Sequence, residues 1–199
     1  LIPQSFYLRP VHEVAQDLLG RDLCHNGVVL RITETEAYGG PDDSASHCHS
    51  GRTPRNAPMW EPGGRAYIYL CYGIHHLLNL VTGDRDAPGA VLIRSCEAVL
   101  GLELIQQRRG KAKGPTLLTG PGKISQALAL DLSFNHHLVF EPGGLELREG
   151  LPPKSILSGP RVGIDYAAPK DREAHLRFAV ANTSWVSERK TLGEISTRR

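Results

Sequence analysis

No apolar run in this 199-residue chain approaches the ~20 residues of a membrane-spanning helix, and the start lacks the basic-then-apolar layout of a secretory signal. An intracellular protein is expected, in the cytoplasm or nucleoid of a bacterium or the nucleus of a eukaryote. Cysteine is scarce and scattered: Cys24, Cys48, Cys71 and Cys96 form no CxxC pair. That excludes a zinc ribbon or a dithiol redox motif and leaves four reduced thiols. HExxH is absent, as is the HxE with PCxxC pair of the zinc deaminases, and "TGPGKIS" lacks the earlier glycine and the Ser/Thr of a Walker loop. There is no internal repeat. A net charge of only +2 gives no whole-chain mark of a nucleic-acid partner.

What is present is ordinary in bulk and uneven in detail. Apolar residues at 40% and charged residues at 22% fit one soluble core, read as a single domain over 1–199. Positive charge is local. Arg52, Arg55 and Arg65 flank a Gly/Pro-rich stretch, Arg108, Arg109, Lys111 and Lys113 sit in "QQRRGKAKG", and Arg198 and Arg199 close the chain. Each cluster reads equally as solvated surface or as a phosphate track.

Pro10 at a helix start, apolar Val11, Val14, Ala15, Leu18 and Leu19, and Gly20 as a stop predict a short amphipathic helix. "VVLRITETEAY" predicts a strand over 28–38, followed by a turn-rich excursion longer than the ~15 residues that structureless loops rarely exceed without a function. Three strands follow in "AYIYLCY", "HHLLNLVT" and "GAVLIRSCEA", the first two so close around Gly73 that they form a tight hairpin. Helices are expected in "LGLELIQQRR" and after "GPG" in "GPGKISQALAL", then short strands to "HLRFAVA". Runs of strands with helices at the ends predict an α+β fold: a single mixed domain with a curved, mainly antiparallel sheet, peripheral helices and a protruding hairpin.

Strict alternation places Leu30, Ile32, Glu34, Glu36 and Tyr38 on one face of the 28–38 strand, so an apolar side runs into two carboxylates and a phenol. A carboxylate taken out of water needs a partner or a shifted pKa, which makes Glu34 and Glu36 candidates for acid or base chemistry. The plainer reading pairs one of them with Arg31, Arg52 or Arg94. "SHCHSG" offers His47, Cys48 and His49 beside Asp42 and Asp43; His-x-His in a loop could chelate, but the spacing is a weak signal, and no metal or other cofactor is expected. Tyr67, Tyr69 and Tyr72 crowd the hairpin. A tyrosine at a hairpin tip has nothing of its own to pack against, and among arginines it suits insertion into a base stack.

"TETEAY" followed by "SH", then "RTPRN", "YIYLCYG" ending in "N", "VLIR", "GPGK" and "PRVGI", occur in an order that resembles the alkyladenine (3-methyladenine) DNA glycosylase family of mammalian type. The resemblance covers nearly the whole chain. It implies a monofunctional, metal-independent and monomeric enzyme of base excision repair. Such an enzyme flips alkylated or deaminated purines (3-methyladenine, 7-methylguanine, hypoxanthine, ethenoadenine) from double-stranded DNA and hydrolyses the N-glycosidic bond. It also implies roles: Glu36 as the water-activating acid with Arg94 beside it, Tyr38, His47 and Tyr69 as the base pocket, and Asn79 as the group that crowds guanine. Tyr72 matches the side chain that fills the vacated space, while Arg52, Arg55, Arg65 and Lys123 are candidate phosphate contacts. His75, His76 and Cys71 depart from the family pattern. Two rival readings are a glycoside hydrolase using Glu34 and Glu36 as a carboxylate pair, and a damage-binding protein without turnover.

Overall fold

The computed structural model describes residues 1–110 and 112–194; Lys111, Arg198 and Arg199, read above as parts of basic clusters, lie outside them. Helix α1 (Val11–Asp17) follows Pro10 and buries Val14 and Ala15. The chain leaves it through Gly20, whose φ of +83° and contact with the Leu151 carbonyl admit no side chain. Strands β1 (Asp22–His25) and β2 (Val28–Tyr38) come next, and after the long excursion β3 (Ala66–Cys71), β4 (His75–Val81) and β5 (Ala90–Leu100). Helices α2 (Leu102–Arg109) and α3 (Pro121–Leu128) precede β6 (Glu146–Arg148), β7 (Ile156–Gly159), α4 (Pro169–Arg172), β8 (Arg177–Val180) and β9 (Gly193–Glu194).

These strands make one open antiparallel sheet in the order β3-β4-β5-β2-β8-β7-β9, with β1 pairing to β2 and β6 to β1. The α+β expectation and the three predicted central strands hold. Strand β2 meets β5 along one side, while its other side is shared by β1 at the start and β8 at the end. Apolar residues of α1 and α3 pack on one face of this sheet with Leu30, Ile32, Ile68, Leu78 and Ile93. Among the described residues no helix is long and apolar enough to cross a membrane.

The expected strict alternation of β2 does not hold. Its register with β5 slips between Ile32 and Glu34 and again between Glu34 and Thr35. A bulge of this kind re-aims the side chains beyond it. Leu30 and Ile32 lie in the helix-side core, but past the slip that side is taken by Thr35, whose hydroxyl donates to the Ala15 carbonyl at 2.8 Å, and by Ala37. Glu34, Glu36 and Tyr38 therefore leave the apolar core and turn to the other face of the sheet.

Candidate active site

On that other face, directly paired residues form one row across five strands: Tyr67, Asn79, Leu92, Glu36 and Arg177. Above it lies a cavity of about 480 Å³, within the ~300–1,000 Å³ range of ligand sites. The sheet supplies its floor and two loops supply its walls. One is the 39–64 excursion carrying His47 and Arg55; the other, between β7 and β8, carries Val162 and Tyr166. The excursion is tied down despite its length. Asp43 receives both terminal nitrogens of Arg161 at 2.6 and 2.9 Å, and the Asn56 amide donates to the carbonyls of His47 and Gly51, each at 2.8 Å.

Glu34 and Glu36 are both fully buried, yet their surroundings differ. Glu34 Oε1 accepts from Arg94 Nε (3.1 Å), Arg177 Nη1 (3.0 Å) and Ser187 Oγ (3.0 Å). Its Oε2 accepts from Ser95 Oγ (2.6 Å) and the Ser187 N–H (2.8 Å). Five donors exceed the ~four lone-pair positions of a carboxylate. Of the partners anticipated for these acids, Arg94 is correct; Arg31 instead pairs with Asp22, and Arg52 lies nearest Asp86.

Glu36 is less occupied. Its Oε1 accepts from the Val162 N–H at 2.7 Å with Arg94 Nη1 at 3.3 Å, and among the described residues Oε2 accepts only from the Tyr38 hydroxyl at 2.8 Å. The carboxylate lies just beneath the cavity surface, behind Tyr38, Arg94 and Val162, all of which line it. Burial pushes its pKa up against the opposing pull of Arg94, the Val162 N–H and the Tyr38 hydroxyl. The Tyr38 phenol, raised by burial and then by Glu36, stays protonated as the donor.

The aromatic residues gather as the sequence anticipated. Tyr67 and Tyr69 share the cavity face of β3, with ring centroids 5.7 Å apart, and His47 stands edge-on to Tyr69 at 4.6 Å. His47 Nδ1 pairs with the Tyr67 hydroxyl at 2.9 Å, leaving Nε2 for a ligand. Burial, then the nearby Arg55, lowers the His47 pKa, so the ring is neutral at pH 7. Tyr67 packs against Met59, Cys48 and Ala90, as well as positioning His47. Asn79 is buried in the floor, its amide donating to the Tyr67 carbonyl at 3.1 Å.

Tyr72 occupies the tip of the three-residue loop joining β3 to β4, at φ +50° and 92% exposed, where it contributes to the cavity rim. A non-glycine residue in the left-handed region is uncommon, and the following Gly73 at φ +72° completes the turn. Of the basic candidates, Arg52 is exposed, Arg55 lies over the Tyr69 ring at 5.3 Å, and Lys123 stands in the first turn of α3. Arg65 is committed elsewhere, to Glu61 at 2.8 Å and the Pro62 carbonyl at 2.7 Å. The ligand-type residues of "SHCHSG" and the neighbouring Asp43 do not converge on one point: Asp43 holds Arg161, His49 Nδ1 faces the Pro41 carbonyl, and the Cys48 thiol is buried against Met59.

Arg161, Val162, Arg177 and Ser187 were not singled out from the sequence. The signals existed: an arginine inside the apolar strand "LRFAV" has to be paired, and "PRVGI" joins a cation to a turn glycine.

The chain matches the family model for methylpurine-DNA glycosylase over residues 5–184. It is 51% identical over 192 residues to the DNA-3-methyladenine glycosylase of Arabidopsis thaliana, covering 96% of this chain and 75% of that protein. A protein of Nitrosococcus oceani, provisionally named a 3-methyladenine DNA glycosylase, is 60% identical over 193 residues, 96% of each chain. A glycosylase hydrolysing N-glycosidic bonds in DNA is the class that this family defines. The chain belongs to the methylpurine-DNA glycosylase family.

Proposed function

We propose that residues 1–199 act as a single, monomeric catalytic domain that rotates alkylated or deaminated purines out of duplex DNA and hydrolyses their N-glycosidic bond with a water activated by Glu36. The substrates in view are 3-methyladenine, 7-methylguanine, hypoxanthine and ethenoadenine. The observation that carries this reading is the asymmetry of the two acids. Glu36 lies under a base-sized aromatic cavity with lone-pair capacity left on Oε2.

Departure of the base builds positive oxocarbenium character on the sugar. One carboxylate can take a proton from water and stabilise that charge, both more effectively where bulk water is excluded. Arg94, shared between Glu34 and Glu36, orients the carboxylate and helps keep it ionised although burial favours the neutral form. Tyr38, Tyr69 and neutral His47 supply stacking and edge contacts for a purine, and Asn79 in the floor crowds the exocyclic amine of guanine. Tyr72 fills the gap in the duplex. Arg52, Arg55 and Lys123 are better disposed than Arg65 to meet the backbone. A cationic base such as 3-methyladenine or 7-methylguanine takes the electron pair of the broken bond and leaves neutral, whereas hypoxanthine must also gain a proton as it leaves; the water gives its own proton to Glu36 and its hydroxyl to C1′.

The carboxylate-pair reading finds little support, since the Glu34 oxygens are filled by five donors. The test is incubation with duplex oligonucleotides bearing each lesion, beside undamaged duplex and nitrophenyl glycosides. Release of free damaged base alone supports the proposal. Glycoside cleavage would revive the carbohydrate reading, and lesion binding without release would indicate a non-catalytic damage binder.

A further inference from the structure

The loop between β7 and β8 carries an aromatic residue that the proposed reaction leaves unused. Tyr166 is 71% exposed, yet it lines the cavity, and its hydroxyl donates to the Ala45 carbonyl at 3.0 Å. Ala45 packs with Ile164 and Ala167, and Tyr38 leans on the same small cluster. The ring is thus held by its hydroxyl at one end while most of its surface faces solvent at the cavity mouth. An exposed ring tethered in this way is a preformed stacking surface, because little rotamer freedom remains to be lost on contact.

Its position follows from the topology. The cavity runs from the β3-β4 hairpin, across β5 and β2, to the loop that follows β7. Tyr72 stands at the hairpin end and Tyr166 at the other. Four residues before Tyr166, the Val162 N–H donates to Glu36. Tyr166 therefore occupies the rim on the same side as the carboxylate. Burial, then Arg161, Asp43 and Glu36, act on its phenol, with a net upward shift, which agrees with that proximity. If the base enters the aromatic cavity and its C1′ lies at the Glu36 water, the deoxyribose is left at the rim on the Glu36 side.

We infer that Tyr166 is a substrate-contacting residue whose ring packs against the deoxyribose of the extruded nucleotide, opposite the Tyr72 wedge, and holds C1′ over Glu36. This rests on the glycosylase reading above. It assigns to the 160–168 loop a role in seating the sugar, besides the Val162 donor it gives to Glu36.

The experiment measures equilibrium binding of native protein, Tyr166→Phe and Tyr166→Ala to two duplexes, one with hypoxanthine and one with a tetrahydrofuran abasic analogue that keeps the sugar ring but has no base. Single-turnover excision is followed in parallel. Tyr166→Phe keeps the ring but frees it from Ala45, so a small loss of about two- to threefold is expected from the rotamer freedom regained. Tyr166→Ala is expected to weaken both duplexes alike, by roughly five- to 150-fold, the range for loss of one stacked aromatic. Because the side chain is exposed, thermal unfolding should be nearly the same in all three proteins. Equal harm from Phe and Ala would make the residue a loop tether and overturn the inference. So would a penalty confined to the hypoxanthine duplex, which would mean a base contact, or no penalty for Ala. Failure of the glycosylase reading appears separately, as absence of base release by native protein.

Discussion

Glu34 and Glu36 stand two residues apart on one strand, both without exposed surface, and the cell of protein around each is built to a different end. Around Glu34 two arginines, two serine hydroxyls and a backbone N–H close every acceptor position. Around Glu36 there is one backbone N–H, one phenol and one shared arginine, and the next layer outward is cavity. Burial alone does not mark a reactive acid. The number of donors aimed at it decides whether it locks the fold or remains available to a ligand.

The largest effect expected from disturbing this pair is on the Glu36 side. Glu36→Gln should lower single-turnover excision by about 10²- to 10⁴-fold, the range for a lost acid–base group, while the protein stays folded. Next comes Glu34→Ala, which leaves Arg94 and Arg177 buried without their shared partner. A stability loss of about 3–5 kcal/mol is expected in denaturant unfolding, as for other broken buried ion pairs. If Glu34→Ala were as stable as the native chain and merely inactive, the division of roles would be wrong.

Two substitutions sharpen the cavity side of the contrast. Tyr72→Ala should weaken extrusion of a fluorescent lesion base by about 1–3 kcal/mol with the Glu36 site intact; an unchanged flipping equilibrium would remove the wedge role. Asn79→Ser, in the same cross-sheet row as Glu36, should narrow the preference for hypoxanthine over guanine by about tenfold. Unchanged discrimination would count against a steric role for Asn79.

The smallest effect concerns pH. With its folded-state pKa raised by burial, Glu36 contributes stability that is fully present below the ordinary carboxylate range and lost as pH rises through the raised value. At neutral pH its ionised form is therefore a cost. Glu36→Gln should unfold at a temperature no lower than native at pH 7, with the difference in its favour shrinking toward pH 4. Excision by the native protein should show an acid limb above the usual glutamate range near 4.3, because the base form is lost there. His47, already neutral, should add no limb above pH 7.

Much of this was legible in the sequence. The helix after Pro10, the strands in "VVLRITETEAY", "AYIYLCY", "HHLLNLVT" and "GAVLIRSCEA", and the hairpin around Gly73 appear nearly where the pattern placed them. Tyr38, His47, Tyr69, Asn79 and Arg94 do line one cavity. What alternation could not reveal was the bulge at Glu34, because an extra residue in one strand is set by pairing with a partner over 60 positions away. Without it, two acids seemed to continue an apolar face. The partners of Arg161 and Arg177 were opaque for a related reason: the pattern says that an arginine in an apolar strand must be paired, but Asp43 and Glu34 are distant in sequence and set by the fold.

The most direct measurement is single-turnover release of hypoxanthine from a duplex oligonucleotide, in chelator, by native protein and by Glu36→Gln, with duplex binding followed for both. The account predicts free base from the native chain, release slowed by about 10²- to 10⁴-fold in the variant, and binding retained in each. Undiminished release by Glu36→Gln would contradict it.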